Sequence, residues 1–111
     1  MPTESSTARI YVCGPMTGLP EFNYPAFAAE TTRLRALGYE VVSPAEINPN
    51  GGTWQECMKR DIAQLMTCNL LVCLPGRTES RGARIETNLA NELGITVAFA
   101  SSITERCAVA A

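Results

Sequence analysis

The chain has 111 residues, of which 46% are hydrophobic and 18% are charged, and its formal net charge is −2. This length and composition are typical of one globular domain and exclude a largely disordered chain. The slightly acidic balance provides no basic field for duplex DNA or for an anionic membrane surface, so neither is an expected partner.

The chain begins with a predicted strand followed by a helix. The apolar, partly β-branched run 9–13 predicts a buried strand, and residues 14–23 predict a loop. Pro25 suits the first turn of a helix that Gly38 ends. The residues at helical spacing that we expect to be buried are Phe27, Ala28, Thr31, Leu34 and Leu37.

A second strand and helix follow. Residues 39–43 predict a strand, and the stretch 44–52 is a loop rich in Asn, Pro and Gly. Thr53 is a good helix N-cap, and Glu56 three residues later completes a capping-box pattern. The residues expected on the buried face of this helix are Met58, Ile62, Leu65 and Met66.

The last predicted elements are again a strand, a helix and a strand. The continuous apolar run 69–74 is typical of a central parallel strand covered on both faces, and residues 75–81 form the next loop. Residues 82–93 predict a third helix, ended by Gly94, and residues 95–99 predict a fourth strand. The tail to Ala111 is either a short helix or frayed.

Strands that alternate with helices indicate an α/β fold with a doubly wound, Rossmann-like parallel sheet. We therefore expect a single small domain over residues 9–100, with a flexible N-terminus at 1–8 and a C-terminal tail at 101–111. Ligands of such sheets bind at the carboxyl ends of the strands, where the strand order switches. Loops after Cys13, Ser43 and Leu74 reach that edge, and all three are rich in Gly, Pro and polar residues.

Cysteine and histidine usage excludes several kinds of site. The chain has no histidine, which excludes Ser-His and Cys-His nucleophile pairs. Neither a P-loop nor a GxGxxG motif occurs, so we expect no cofactor. The five cysteines are Cys13, Cys57, Cys68, Cys73 and Cys107. Because their number is odd and no CxxC pair occurs, we expect neither a metal site nor a disulfide framework. With no signal peptide or membrane-spanning run in the sequence, we expect a cytoplasmic protein.

Two carboxylates are candidates for chemistry. Glu86 follows the third loop and shares a helix face with Ala83 and Ala90, which leave room for a ligand. Its alternative role is that of an acidic residue that stabilises the helix N-terminus. Asp61 lies near the apolar stripe of the second helix. It is either a surface residue paired with an arginine or a carboxylate that orients a ligand.

Polar and basic residues near the third loop are candidates for anion binding. Ser80, Arg81 and Gly82 enter a helix N-terminus, where backbone N–H groups and a hydroxyl can bind an anion. Ser80 is alternatively a simple N-cap. Arg81 and Arg84 belong to a cluster with Arg77 that is otherwise a solvated, charged loop. Tyr11, in the first strand, is by default a core aromatic.

Three segments, IYVCGPMTG, KRDIAQLMTCNLLVCLPG and SRGARIETNLANELGITV, resemble the nucleoside 2-deoxyribosyltransferase superfamily, which includes the 2'-deoxynucleoside 5'-phosphate N-hydrolases. The resemblance spans about residues 9 to 99 and is greatest to small phage and bacterial members. It implies a flavodoxin-like fold. It also implies cleavage of the N-glycosidic bond of a (deoxy)nucleoside or its monophosphate, or transfer of the deoxyribosyl group.

The resemblance also implies roles for individual residues. Glu86 matches the family's nucleophile in a G-x-x-E pattern that begins at Gly82, Asp61 matches an aspartate that assists departure of the base, and Tyr11 matches a tyrosine near the nucleophile. Ser80 matches the serine that binds the 5'-phosphate in the N-hydrolases. Arg81 and Arg84 are further candidates for binding that phosphate. The first loop is expected to contact substrate through Gly14, Pro15, Met16 and Thr17, with Thr17 in place of the family's phosphate-binding arginine.

Three hypotheses follow. The leading one is an enzyme that cleaves a glycosidic bond through Glu86. The second is a protein that binds a nucleotide or a nucleotide-derived signal without cleaving it, and the third is a purely structural assembly protein. In each case we expect a homo-oligomer, because the domain is small and relatives share active sites between subunits.

Overall fold

The computed structural model describes residues 8–104, except for the side chain of Arg77. The expectations for the N-terminus, for Cys107 and for the end of the tail therefore lie outside the described residues. The strands are β1 (Arg9–Cys13), β2 (Glu40–Val42), β3 (Leu70–Cys73) and β4 (Thr96–Phe99), and the α-helices are α1 (Tyr24–Ala36), α2 (Pro44–Ile47), α3 (Trp54–Leu65) and α4 (Arg81–Glu92). Short 3-10 turns occur at Pro20–Asn23, Arg77–Glu79 and Ala100–Ser102.

The four strands form one parallel sheet in the order β2-β1-β3-β4. Tyr11 in the middle of β1 is in register with Val42 on one side and with Leu71 on the other. The chain moves outward from β1 to β2, crosses back to β3 and continues to β4, so the strand order switches between β1 and β3. This arrangement confirms the predicted doubly wound α/β sheet and is that of a flavodoxin-like fold.

Side chains of β1 alternate between two hydrophobic clusters, one on each face of the sheet. Ile10 and Val12 pack with Phe27 and Leu34 of α1. Tyr11 and Cys13 lie on the opposite face, in a cluster whose helical and post-helical members are Leu65, Cys68, Ala83 and Ala90. The face that contains Tyr11 is therefore covered by α3 and α4.

The starts of α3 and α4 follow the predicted capping chemistry. The hydroxyl of Thr53 accepts a hydrogen bond from the backbone N–H of Glu56 at 3.1 Å, and the carboxylate of Glu56 accepts one from the N–H of Thr53 at 2.9 Å. The predicted capping box is therefore confirmed. At the start of α4, Ser80 accepts a hydrogen bond from the N–H of Ala83 at 3.2 Å. Both helices present their first turns to the carboxyl edge of the sheet.

Several local expectations were wrong. Residues 44–47 form a helical turn instead of loop, because Ser43 accepts a hydrogen bond from the N–H of Ala45 and Pro44 suits a first turn. Met66, at the C-cap of α3, is exposed. Ala28 is also exposed, since the buried stripe of α1 instead includes Glu30.

The segment after β4 lies along α1. The guanidinium of Arg33 donates hydrogen bonds to the carbonyls of Ala100 and Ile103, and it also pairs with Glu30. Across residues 8–104, no helix has the length and apolar character needed to cross a membrane.

Candidate active site

A cavity of about 80 Å³, open to solvent, lies at the carboxyl edge of the sheet. Its lining includes Asp61 from α3, Glu86 from α4, and Ser80 from the loop after β3. These three side chains come from segments that meet beside the switch in strand order, where α/β sheets bind ligands.

Glu86 lies on the inner face of α4 and is 5% exposed. Ala83 and Ala90, which share that face, are also buried. The hydroxyl of Tyr11 donates a hydrogen bond to Oε2 of Glu86 at 2.8 Å. Tyr11 is therefore a core aromatic whose polar end is directed at the carboxyl group that lines the cavity.

Burial raises the pKa of Glu86 to about 8, because removal from water penalises the ionised carboxylate. The hydrogen bond from Tyr11 opposes this effect, whereas the negative charge of Asp61 adds to it. The pKa of Tyr11 is raised well above its usual value, first by burial and then by the charge of Glu86. The Glu86 carboxyl is thus largely protonated at neutral pH, and the Tyr11 phenol is neutral.

Asp61 is 6% exposed and does not lie on the surface. Oδ1 of Asp61 accepts a hydrogen bond from the side-chain amide of Asn48 at 2.7 Å. Within residues 8–104, Asp61 takes part in no ion pair. Burial raises the pKa of Asp61 to about 6, and the Asn48 hydrogen bond and the charge of Arg60 limit the increase. At neutral pH Asp61 is therefore mostly ionised.

Ser80 caps α4, and its side chain also lines the cavity, while anion binding by Ser80 stays a prediction. Arg81 lies beside a second cavity that shares Ser80 and Trp54 with the first. Its guanidinium stacks on the Trp54 ring, 4.2 Å from the ring centroid. A Cβ added at Gly82 would lie 3.1 Å from the sulfur of Met58, so a larger residue there would require the Met58 side chain to shift.

Three residues of the first loop, Gly14, Met16 and Thr17, line the main cavity, and Pro15 lines the second one. A Cβ at Gly14 would lie 2.9 Å from Cβ of Leu74, so the close approach of the first and third loops requires glycine there. Arg84 is exposed and donates a hydrogen bond to the carbonyl of Thr78 at 2.9 Å, away from both cavities.

The family model described as "Domain of unknown function (DUF4406)" matches residues 8–99, which is most of the chain. The chain belongs to this family. No curated protein matches this chain in sequence.

The DUF4406 domain is similar in structure to a 2-deoxyribosyltransferase from the psychrotolerant bacterium Bacillus psychrosaccharolyticus. The TM-score is 0.68 at 22% sequence identity, and the match covers 83% of this chain and 71% of the bacterial enzyme. At this level of identity the likeness shows a shared fold.

Neither Asn48 nor Trp54 was singled out by the sequence analysis. Asn48 is buried and bonded to Asp61, although it lies in a segment predicted as loop. Trp54 lines both cavities from the first turn of α3. The asparagine-rich composition of residues 44–52 indicated a turn and carried no sign of burial. Among residues 8–104 no group of three His, Cys, Asp or Glu side chains is arranged to hold a metal ion.

Tyr11→Phe is expected to destabilise the domain more at about pH 9 than at about pH 6, by about 1–3 kcal/mol, because the phenol stabilises the ionised form of Glu86. Urea unfolding at both pH values measures the difference. Tyr24→Phe is the matched control, since its hydroxyl donates to the neutral carbonyl of Asn48 at 3.2 Å. If Tyr11→Phe lowers the free energy of unfolding equally at both pH values, the phenol does not stabilise the ionised form of Glu86.

Proposed function

We propose that this DUF4406 domain cleaves the N-glycosidic bond of a (deoxy)nucleoside or its 5'-monophosphate, or transfers the deoxyribosyl group, with Glu86 as the nucleophile. The observation that carries the proposal is the placement of two buried carboxyl groups, Glu86 and Asp61, in one cavity at the switch point of the sheet. The fold shared with a 2-deoxyribosyltransferase supports the same chemistry.

The proposed reaction has two steps. The ionised Glu86 carboxylate attacks the anomeric carbon, the bond from carbon to base nitrogen breaks, and the base leaves with the electron pair and takes up a proton. The sugar is then held as an ester of Glu86. Attack by water releases the free sugar or sugar phosphate, whereas attack by a second base gives a new nucleoside, and either outcome restores the carboxylate.

The two carboxyl groups have different ionisation at neutral pH, which divides their roles. With a pKa of about 6, Asp61 is mostly a carboxylate and accepts a hydrogen bond from the base or from a sugar hydroxyl. About one-tenth of Asp61 is protonated at pH 7 and can supply a proton to the leaving base. With a pKa of about 8, Glu86 is ionised in a similarly small fraction, which makes its ionisation a control on the rate.

A 5'-phosphate, where present, is proposed to bind near the start of α4. The Ser80 hydroxyl and the first N–H groups of α4 lie at the cavity, and Gly82 allows close approach. Arg81 is the better placed of the two proposed arginines, because it lies at the second cavity while Arg84 points to the Thr78 carbonyl. Gly14, Met16 and Thr17 would contact the rest of the substrate.

One observation favours the alternative function of nucleotide binding without cleavage. Because burial raises the pKa of Glu86 to about 8, its neutral carboxyl group can donate a hydrogen bond at neutral pH to an acceptor on a base or sugar. A binding protein would use Glu86 in this protonated form, whereas the enzyme requires the ionised form.

The test is chromatographic detection of free base after the protein is incubated with the four 2'-deoxynucleosides and their 5'-monophosphates. We expect release from at least one of them, and addition of a second base distinguishes transfer from hydrolysis. If no base is released while the same compounds raise the melting temperature, the protein is a binder and the enzyme proposal fails.

Self-association stays a prediction. Large apolar side chains are exposed at Phe22, Ile85 and Leu93, which provide apolar area for contact between copies. Sedimentation at micromolar concentration is expected to give a dimer or larger species. A monomer would contradict the expectation.

A further inference from the structure

Asn48 is a buried polar side chain whose contacts determine its orientation. It is 5% exposed and follows the short helix α2. Its side-chain nitrogen donates one hydrogen bond to the carbonyl of Pro44 at 3.1 Å and another to Oδ1 of Asp61 at 2.7 Å. Since both partners are acceptors, the NH₂ group must face them, and the side-chain oxygen must face the other way.

Arg60 contacts the other side of the same amide. Its Nε donates a hydrogen bond to Oδ1 of Asn48 at 2.7 Å, and its Nη2 donates to the carbonyl of Gly51 at 2.9 Å. The amide group of Asn48 therefore has each of its polar positions satisfied. A guanidinium on one side and a carboxylate on the other polarise the amide in the same sense, which strengthens both hydrogen bonds.

The consequence for Asp61 is an asymmetric carboxylate. Oδ1 is bonded to Asn48, while Oδ2 has no hydrogen-bond partner anywhere in the described stretch 8–104. Asp61 lines the cavity, and a buried carboxylate oxygen without a partner is costly unless a ligand or water satisfies it. The bond to Asn48 thus leaves one carboxylate oxygen of known position for a donor group in the cavity.

We propose that Asn48, held by Arg60, is a positioning residue that fixes the Asp61 carboxylate so that Oδ2 accepts a hydrogen bond from the bound substrate. The part of this inference that concerns substrate rests on the proposed function. The link between Asn48 and Asp61 is a property of the free protein.

Three further groups influence the charge of Asp61 or respond to it. Arg60 on α3 favours the ionised form of Asp61. Glu86 on α4 and Tyr11 on β1 both respond to its negative charge, which raises the pKa of each. The Asn48 hydrogen bond also favours the ionised form, and so its loss must raise the pKa of Asp61.

Asp61 is the only aspartate in the sequence, which gives a direct measurement. Labelling the side-chain carboxyl carbon of aspartate with ¹³C yields a single resonance, whose chemical shift follows the ionisation of Asp61. In Asn48→Ala we expect its titration midpoint to move upward by about one pH unit or more, because the hydrogen bond to the ionised form is lost. Tyr24→Phe is the matched control: it removes a hydrogen bond to the backbone carbonyl of Asn48, leaves the side-chain amide in place, and is expected to leave the midpoint unchanged.

Arg60→Lys carries the test if Asn48→Ala does not fold. Lysine keeps the positive charge but lacks the Nε–H group that holds the amide oxygen of Asn48. An upward shift of the Asp61 midpoint in this variant supports transmission through the amide, because the charge is conserved. An unchanged midpoint in the folded variants overturns the positioning role, whatever the protein does with nucleotides.

The proposed hydrogen bond from substrate to Oδ2 is tested with the four 2'-deoxynucleosides and their 5'-monophosphates, 2'-deoxyguanosine 5'-monophosphate among them. Any compound that raises the melting temperature of the wild type is expected to move the Asp61 resonance, and Asn48→Ala is expected to weaken its binding about tenfold or more. A bound compound that leaves the resonance unmoved overturns the assignment of Oδ2 to substrate. Failure of base release alone would reject the proposed enzyme while the Asn48–Asp61 link still stands on the titration.

Discussion

Glu86→Gln is expected to lower the rate of base release at least about 1,000-fold, measured on whichever 2'-deoxynucleoside or 5'-monophosphate the wild type cleaves. Glutamine matches glutamate in shape and its amide oxygen can still accept the hydrogen bond from Tyr11, but it cannot form the ester to the anomeric carbon. Chromatographic measurement of free base under substrate saturation gives the ratio of kcat values.

The control for this prediction lies on the same helix. Glu92 is exposed near the end of α4, and Glu92→Gln is expected to keep the wild-type rate. Retention of more than about one-tenth of the wild-type kcat by Glu86→Gln would eliminate Glu86 as nucleophile, because chemistry without the covalent step is far slower.

The stability of Glu86→Gln relative to the wild type is expected to rise with pH. The pKa of Glu86 is about 8 in the folded protein and near 4.5 in the unfolded chain. Between these values the folded state binds more protons than the unfolded state, so the wild type loses stability as the pH increases. With about 1.4 kcal/mol for each pKa unit, the gain of the variant between about pH 4.5 and pH 8 is about 3–5 kcal/mol.

Urea unfolding across this pH range measures the effect. Asp61 also makes the folded state less stable as the pH rises from about 3.8, its ordinary pKa, to about 6, its pKa in the folded protein. This loss of stability occurs in the wild type and in the variant alike, so it cancels in their difference. Parallel stability curves for wild type and Glu86→Gln would contradict the raised pKa of Glu86.

Much of the architecture could be predicted from the sequence because it depends on local periods and end signals. The alternation of strands and helices gave the parallel sheet, and Thr53 with Glu56 marked the start of α3. The loops after β1 and β3 were expected at the cavity edge and do line it. Errors occurred where a local contact changed the pattern, as at residues 44–47, which form a helical turn.

The candidate site could be predicted only in part. Glu86 and Asp61 were candidates because small residues beside Glu86 leave room for a ligand and because Asp61 lies near an apolar stripe. Their individual roles were implied by the family resemblance. Local spacing gave no orientation for the arginines, and the structure distinguishes Arg81, stacked on Trp54, from Arg84, which donates to the Thr78 carbonyl.

By itself the sequence determined the fold class, the ends of most elements and the residue types available for chemistry, because these follow from the periods of 2 and 3.6 residues and from capping preferences. The tertiary structure alone decided the state of the carboxylates. Tyr11 meets Glu86 across 75 positions of the chain, and Asn48 meets Asp61 across 13. Ionisation depends on burial and on partners from remote segments, so only the packed sheet and helices determine which carboxyl group holds its proton at neutral pH.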